Sequence, residues 1–67
     1  MGHDMYDLVK VIDKDDREFY GALGIINYID EDVDGYTLYG LIFAGKHHNE
    51  LAKKEGPLFY ADELEGI

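Results

Sequence analysis

Cysteine, serine and tryptophan are absent from this 67-residue chain, and proline occurs once. Without cysteine there is no disulfide and no thiolate metal site, so packing, self-association or an oxygen-bound ion must stabilise the domain. The lack of cysteine also fits a reducing compartment, and we expect a cytoplasmic location. With neither serine nor cysteine and a single threonine, the common nucleophiles of covalent catalysis are scarce, and we expect no enzymatic activity.

Basic residues are scarce as well. Six lysines and arginines face fifteen carboxylates, which gives a formal net charge of −9. A field of this sign repels phosphate backbones and anionic lipid surfaces. No apolar segment approaches the roughly 20 residues that span a bilayer. We therefore expect a protein or peptide partner of basic and apolar character, or a cation, and neither a nucleic acid nor a membrane.

The apolar patterning places one domain over residues 6–67. We interpret residues 1–5 as an N-terminal tail that derives from cloning, since Met5 offers a second start. The length suffices for one modest core.

Short runs of alternating or continuous apolar residues predict strands over residues 6–12, 23–29, 36–44, 58–60 and 65–67. Residues 61–64 predict a 3₁₀ turn before the last strand. Asn49 is positioned to cap a single helical turn over residues 50–54, with Leu51 as its anchor. The predicted core consists of Val9, Val11, Ile26, Leu38, Phe59 and Leu64.

Glycines and carboxylates mark the connections. Residues 13–18 contain no apolar side chain and predict an exposed loop, after which Phe19 and Tyr20 return to the core. Gly21 and Gly24 predict a bend or a close approach of two backbones, and Gly40 predicts a bulge or a corner. Strands and turns at this spacing favour a small closed barrel, which would leave no exposed strand edge.

Four segments carry a family resemblance: Leu8-Val9-Lys10-Val11, Phe19-Tyr20-Gly21, Gly35-Tyr36-Thr37-Leu38 and Phe59-Tyr60-Ala61-Asp62-Glu63-Leu64. They resemble small SH3-like barrels, including KOW-type domains and the PsaE-type barrel. The resemblance covers residues 6–67 and implies an all-β SH3-like barrel of about five short strands. The chain lacks the tryptophan pair of signalling SH3 domains and the basic residues of KOW domains, so the resemblance implies a fold and no ligand.

Alternating aspartates before Gly35 resemble the first half of a calcium-binding loop. Asp30, Asp32 and Asp34 would supply hard oxygen ligands for weak Ca²⁺ binding, with the Tyr36 carbonyl as a fourth. The residue twelve positions into the loop is Leu41, where such loops need a glutamate. An acidic hairpin turn is therefore the alternative interpretation.

The tyrosines offer the best candidate recognition surface, because a domain of this size cannot bury all six and tyrosine combines apolar area with a hydroxyl. In SH3-like barrels the long first loop and the second hairpin flank a groove. We therefore predict a protein-binding face. It comprises Tyr20, Tyr36, Tyr39 and Tyr60 with Asp16 and Glu18. The alternative is that each tyrosine is a half-buried core or rim residue.

These observations together predict a non-catalytic protein-interaction module or accessory subunit. A calcium-stabilised domain and a KOW-like, nucleic-acid-associated domain are the alternatives. A homodimer is a further possibility, formed by pairing of an edge strand over residues 36–44 with its copy.

Overall fold

Five strands form one antiparallel sheet in the computed structural model, which describes residues 2–31 and 34–67. In chain order the elements are β1 (Leu8–Val11), β2 (Leu23–Glu31), β3 (Thr37–Phe43), α1 (Lys46–Glu55), β4 (Phe59–Tyr60), a 3₁₀ turn (Ala61–Glu63) and β5 (Leu64–Gly66). The strand order across the sheet is β4-β3-β2-β1-β5. The predicted five short strands and the 3₁₀ turn before the last are confirmed. No helix within residues 2–31 and 34–67 is long and apolar enough to cross a membrane.

The sheet is open, so the predicted closed barrel is wrong. Within the described residues β4 pairs with β3 and β5 pairs with β1, and no ladder joins β4 to β5. The 3₁₀ turn connects these two outer strands directly, and a turn of three residues is short. The sheet must therefore coil until its edges approach.

The predicted edge pairing over residues 36–44 is also wrong, because β3 lies between β4 and β2. It pairs with β2 from Thr37 to Phe43 and with β4 at Leu38 and Tyr39. The true edges are β4 and β5, with two and three residues. Short edges of this kind are poor templates for strand addition.

Alternation along the strands sorts side chains between an inner face and an outer face. The predicted core residues Val9, Val11, Ile26, Phe59 and Leu64 are buried. Leu38 is only half buried, because it pairs with Tyr60 on the outer face. The inner positions of β3 are instead Tyr39, Leu41 and Phe43.

Phe19 brings the β1–β2 loop into the core. Its ring stacks on Phe43 at a centroid distance of 4.9 Å and meets Phe59 edge-on at 5.9 Å. The loop closes where the Gly21 N–H donates to the Val11 carbonyl at 2.8 Å. The predicted return of Phe19 to the core is confirmed, whereas Tyr20 is half exposed.

Gly24 marks the predicted close approach of two backbones. A Cβ atom at Gly24 would lie 2.9 Å from the Ile42 carbonyl oxygen on β3. Further along β2 the register shifts between Ile26 and Tyr28, and Tyr28 pairs with Gly40. The bulge predicted from Gly40 is therefore at the right place, but the extra residue lies on the partner strand.

Helix α1 is longer than the single predicted turn. It has ten residues and begins after Gly45, and Asn49 is not its cap, since the Asn49 N–H donates to the Gly45 carbonyl inside the first turn. The helix ends at Gly56 in the left-handed conformation, whose N–H bonds to the Ala52 carbonyl. The predicted anchor Leu51 packs against the core.

Candidate protein-binding groove

An open groove of about 490 Å³ lies where the start of β3 meets the end of β4 and the 3₁₀ turn. Three of the four tyrosines predicted to bind protein meet there. The groove is lined by Gly2, Gly35, Tyr36, Thr37, Tyr39, Tyr60, Ala61 and Asp62. We call this cavity the aromatic groove.

Tyr36 and Tyr60 form the exposed sides of the aromatic groove. Their ring centroids are 5.9 Å apart, with an interplanar angle of 67°. Tyr36 is 63% exposed and Tyr60 is 48% exposed. The pairing of Leu38 with Tyr60 holds the two strands together beside them. Two rings in this edge-to-face arrangement present apolar area together with two hydroxyls.

Tyr39 lies at the base of the aromatic groove. Strand alternation directs its ring inward, and the residue is only 2% exposed. Its hydroxyl accepts a hydrogen bond from the His3 N–H at 3.0 Å, and the His3 ring meets the Tyr39 ring edge-on at 5.4 Å. Tyr39 therefore supports the groove from below rather than standing on the surface.

The N-terminal residues reach the same place. His3 Nε2 lies 3.1 Å from the Ala61 carbonyl oxygen, which accepts a hydrogen bond when Nε2 carries the proton. The Asp4 N–H donates to an Asp7 carboxylate oxygen at 2.9 Å and turns the chain toward β1. The segment predicted to be a tail thus packs against the groove, while its origin in cloning stays a prediction.

A second cavity, of about 450 Å³, adjoins the aromatic groove and shares Tyr60 and Asp62 with it. Its remaining lining consists of Ile12, Asp13, Lys14 and Glu63. We call it the acidic pocket, because three of its six residues carry carboxylates. The shared residues make the two cavities neighbouring parts of one site.

Glu63 is the carboxyl with a perturbed pKa in the acidic pocket. Burial raises the pKa of Glu63 above its usual value, and the neighbouring Asp13 carboxyl raises it further. The Tyr60 N–H donates to Glu63 Oε1 at 2.7 Å and opposes these effects on the pKa. That bond also closes a capping box on the 3₁₀ turn, which holds the Tyr60 backbone in place.

The other predicted binding residues lie on the β1–β2 loop. Asp16 accepts a hydrogen bond from the Phe19 N–H at 3.1 Å, so its carboxylate shapes the loop. Glu18 meets Glu55 of α1, and their hydrogen bond raises the pKa of Glu18. In the described part of the chain, neither cavity is lined by Asp16, Glu18 or Tyr20. Their role in binding stays a prediction.

The proposed calcium ligands fall partly outside the described residues, since Asp32 is not among them. Asp30 is exposed near the end of β2 and pairs with Leu38, and Asp34 lies in the following turn. In residues 2–31 and 34–67, no three histidine, aspartate or glutamate side chains are grouped to hold a metal ion. Weak Ca²⁺ binding stays a prediction, which amide shifts in millimolar calcium would test.

Sequence reasoning missed the acidic pocket. Asp62 and Glu63 follow an aromatic strand directly, a pattern that by itself indicates only a turn. Asp13 joins them from the far end of the chain, because the Ile12 N–H donates to the Glu63 carbonyl at 2.9 Å.

Comparisons with family models, with curated proteins and with solved structures find no match for this chain. Its function must therefore be argued from its own residues.

Proposed function

We propose that this domain is a non-catalytic protein-interaction module of SH3-like architecture, which binds an extended peptide of basic and apolar character. The observation that carries the proposal is the continuity of the aromatic groove with the acidic pocket through Tyr60 and Asp62. An apolar residue of the peptide packs against the exposed rings of Tyr36 and Tyr60. A neighbouring lysine or arginine then meets Asp13 and Asp62.

The order of elements along the chain supports the SH3-like part of the proposal. Five short strands with a 3₁₀ turn before the last are what the sequence resemblance implies. The departure from that arrangement is the open sheet. A coiled open sheet leaves a groove at the place where its two edges approach.

Electrostatics support the basic character of the partner. The chain carries a formal net charge of −9, so it attracts a cationic peptide from a distance and repels an acidic one. The aromatic rings supply the apolar contact, and tyrosine is enriched among residues that dominate binding energy. The chemistry of the site is recognition, since it offers carboxylates and phenols without a cysteine or serine nucleophile.

The test is a ¹H–¹⁵N titration with two flexible synthetic peptides. Each peptide begins with two leucines. Three lysines follow them in one peptide, and three glutamates follow them in the other. We expect the lysine peptide to shift the amides of Tyr36, Thr37, Ala61 and Asp62 and to bind more weakly as salt is added. The glutamate peptide is expected to leave those amides unshifted.

Matched variants sharpen this test. Tyr60→Ala is expected to raise the dissociation constant of the lysine peptide about 5- to 30-fold, the range for an important interface tyrosine. Tyr28→Ala removes a tyrosine of nearly equal exposure on the outer face of β2 and is expected to leave binding unchanged. Equal binding of both peptides, or equal losses in both variants, would contradict the proposal.

A further inference from the structure

Strand β1 covers only the first part of β2. It pairs with residues 23–25 of β2, and beyond them the Tyr6 N–H donates to the Ile26 carbonyl at 2.8 Å. β2 itself continues to Glu31, and its pairing with β3 continues with it. In the part of the chain that the structure describes, no backbone segment pairs with residues 27–31 on the side away from β3. We call residues 27–31 the free edge of β2.

Two bends of the backbone separate the N-terminal segment from the free edge. The register of β2 against β3 shifts between Ile26 and Tyr28, and a bulged strand changes its direction at such a shift. The N-terminal segment turns as well, because Tyr6 has a positive φ of 69° and the Asp7 N–H donates to the Asp4 carbonyl at 3.1 Å. The pairing between β1 and β2 therefore ends where both chains bend.

The free edge is accessible from outside. Its residues Asn27, Tyr28, Asp30 and Glu31 are exposed, while Ile29 is half buried against the core. Along an antiparallel strand, the N–H and C=O groups of alternate residues point to opposite neighbours. Alternate residues of the free edge therefore direct both backbone groups away from β3. An extended chain segment is the kind of partner that matches such a row of donors and acceptors.

The charges that accompany the free edge have one sign. Asp30 and Glu31 lie on it, and Asp7 is the adjacent residue of the N-terminal segment. No lysine or arginine occurs in residues 1–9 or 18–45, which include the whole β2–β3 hairpin. Two copies of this edge repel each other, so the charges oppose its pairing with itself. A strand that carries lysine or arginine is attracted instead.

We propose that the free edge of β2 binds an extended, basic segment of a partner protein, which adds to the sheet as a further strand. Backbone hydrogen bonds hold the segment in register, and its lysines or arginines meet Asp30 and Glu31. The site is distinct from the aromatic groove. The groove lies where β3 meets β4, whereas the free edge lies across β2 on the other side of β3. The two sites therefore take separate segments, and this proposal does not depend on the groove.

A ¹H–¹⁵N titration tests the free edge with a capped peptide of three lysines that alternate with two valines. We expect the amides of residues 27–31 to shift, and those that donate to the peptide to exchange with solvent more slowly. Shifts confined to Tyr36, Thr37, Ala61 and Asp62 would place the peptide in the groove alone and would overturn the proposal. Shifts of residues 27–31 on concentrating the protein without peptide would show that a second copy pairs there, which would also overturn it.

Backbone methylation of the peptide separates strand addition from a purely electrostatic contact. One analogue carries methyl groups on the valine nitrogens, and the other carries them on the lysine nitrogens of the backbone. Both keep the same charge. Because the N–H groups of alternate residues point to the same side, only one analogue loses its hydrogen bonds to the free edge. We expect that analogue to bind about tenfold more weakly than the other. Equal binding of the two analogues would overturn the proposal.

Two matched charge variants locate the contact. Asp30→Asn is expected to raise the dissociation constant measured from the amides of residues 27–31 about two- to fivefold, the range for an exposed charge pair. Asp62→Asn removes the same charge from the groove and is the control, which is expected to leave that dissociation constant unchanged. Equal losses in the two variants would overturn the proposal. Because each variant lies in one site only, failure at the groove and failure at the free edge are observed separately.

Discussion

The hydroxyl of Tyr39 accepts a hydrogen bond from the His3 N–H at 3.0 Å, across 36 positions of the chain. The bond joins the end of an otherwise buried core ring to the N-terminal segment. It places Tyr39 in two roles, as a core residue of β3 and as the base of the aromatic groove. The two roles have separate consequences, because the ring contributes apolar burial and the hydroxyl contributes one polar contact.

Replacing Tyr39 by phenylalanine tests the second role. We expect Tyr39→Phe to lower the free energy of unfolding by about 0.5–1.5 kcal/mol, since the ring stays buried while one hydrogen bond is lost. Urea denaturation measures the change. Tyr28→Phe removes a hydroxyl from a half-exposed ring and is the control, with an expected change below about 0.5 kcal/mol. Equal effects of the two substitutions would contradict a structural role for the bond with His3.

Gly24 gives a prediction about backbone packing. A Cβ atom there would lie 2.9 Å from the Ile42 carbonyl oxygen and 3.3 Å from Leu41 Cβ, so β2 and β3 must separate to admit alanine. We expect Gly24→Ala to cost about 1–3 kcal/mol of unfolding free energy, as overpacking does. Gly66→Ala is the control, because a Cβ at Gly66 meets open space and is expected to be neutral or slightly stabilising. In thermal melts, the melting temperature should fall for Gly24→Ala and stay unchanged or rise slightly for Gly66→Ala.

The contact between Glu18 and Glu55 predicts how stability depends on pH. The hydrogen bond to Glu55 raises the pKa of Glu18 above 4.5, so the folded chain holds the proton more tightly than the unfolded chain does. The stabilisation is therefore complete below pH 4.5 and is lost as the pH rises through the pKa of the folded state. We expect the melting temperature to fall as the pH rises above 4.5, and Glu18→Gln to reduce that fall.

A control for this experiment is Glu65→Gln, which removes the same charge from β5. Glu65 pairs across the strands with Lys10, so its loss removes an attraction rather than a repulsion. We expect Glu18→Gln to raise the melting temperature at pH 7 and Glu65→Gln to leave it unchanged or lower it. A rise of equal size in both variants would attribute the effect to net charge instead of to the Glu18–Glu55 contact.

Leu51 connects α1 to the sheet. It is the half-buried leucine of an amphipathic helix whose exposed side carries Lys53 and Lys54. We expect Leu51→Ala to cost about 1–2 kcal/mol, less than the 2–5 kcal/mol of a fully buried leucine. Hydrogen exchange should show faster opening in α1 than in β1 and β2. Lys53→Ala is the matched control, and the amides of α1 in this variant should exchange as fast as they do in the parent.

Local pattern was sufficient for much of the fold. Val9 and Val11 lie two residues apart with Lys10 between them, so their burial on one face follows from the period of two residues along a strand. The aromatic strand before Asp62 and the short turn after it are equally local signals. The net charge, which decides the sign of a partner's charge, is a property of composition alone.

Only the tertiary structure decided which face of β3 is buried, because apolar residues occupy both sets of alternate positions. The set with Tyr39 and Phe43 is buried because Phe43 packs against the rings of Phe59 and of Phe19 from the β1–β2 loop. The helix start at Gly45 was likewise hidden, because Asn49 carries the stronger local signal for a cap.

The site depended most on tertiary structure. Tyr36, Tyr60 and Asp13 are far apart in sequence, and the coiling of an open sheet brings them to one place. The sequence by itself determined the strands, the charge and the kinds of side chain available for recognition. Which of them lie together was decided by strand pairing over long distances, because no local pattern encodes register between distant strands.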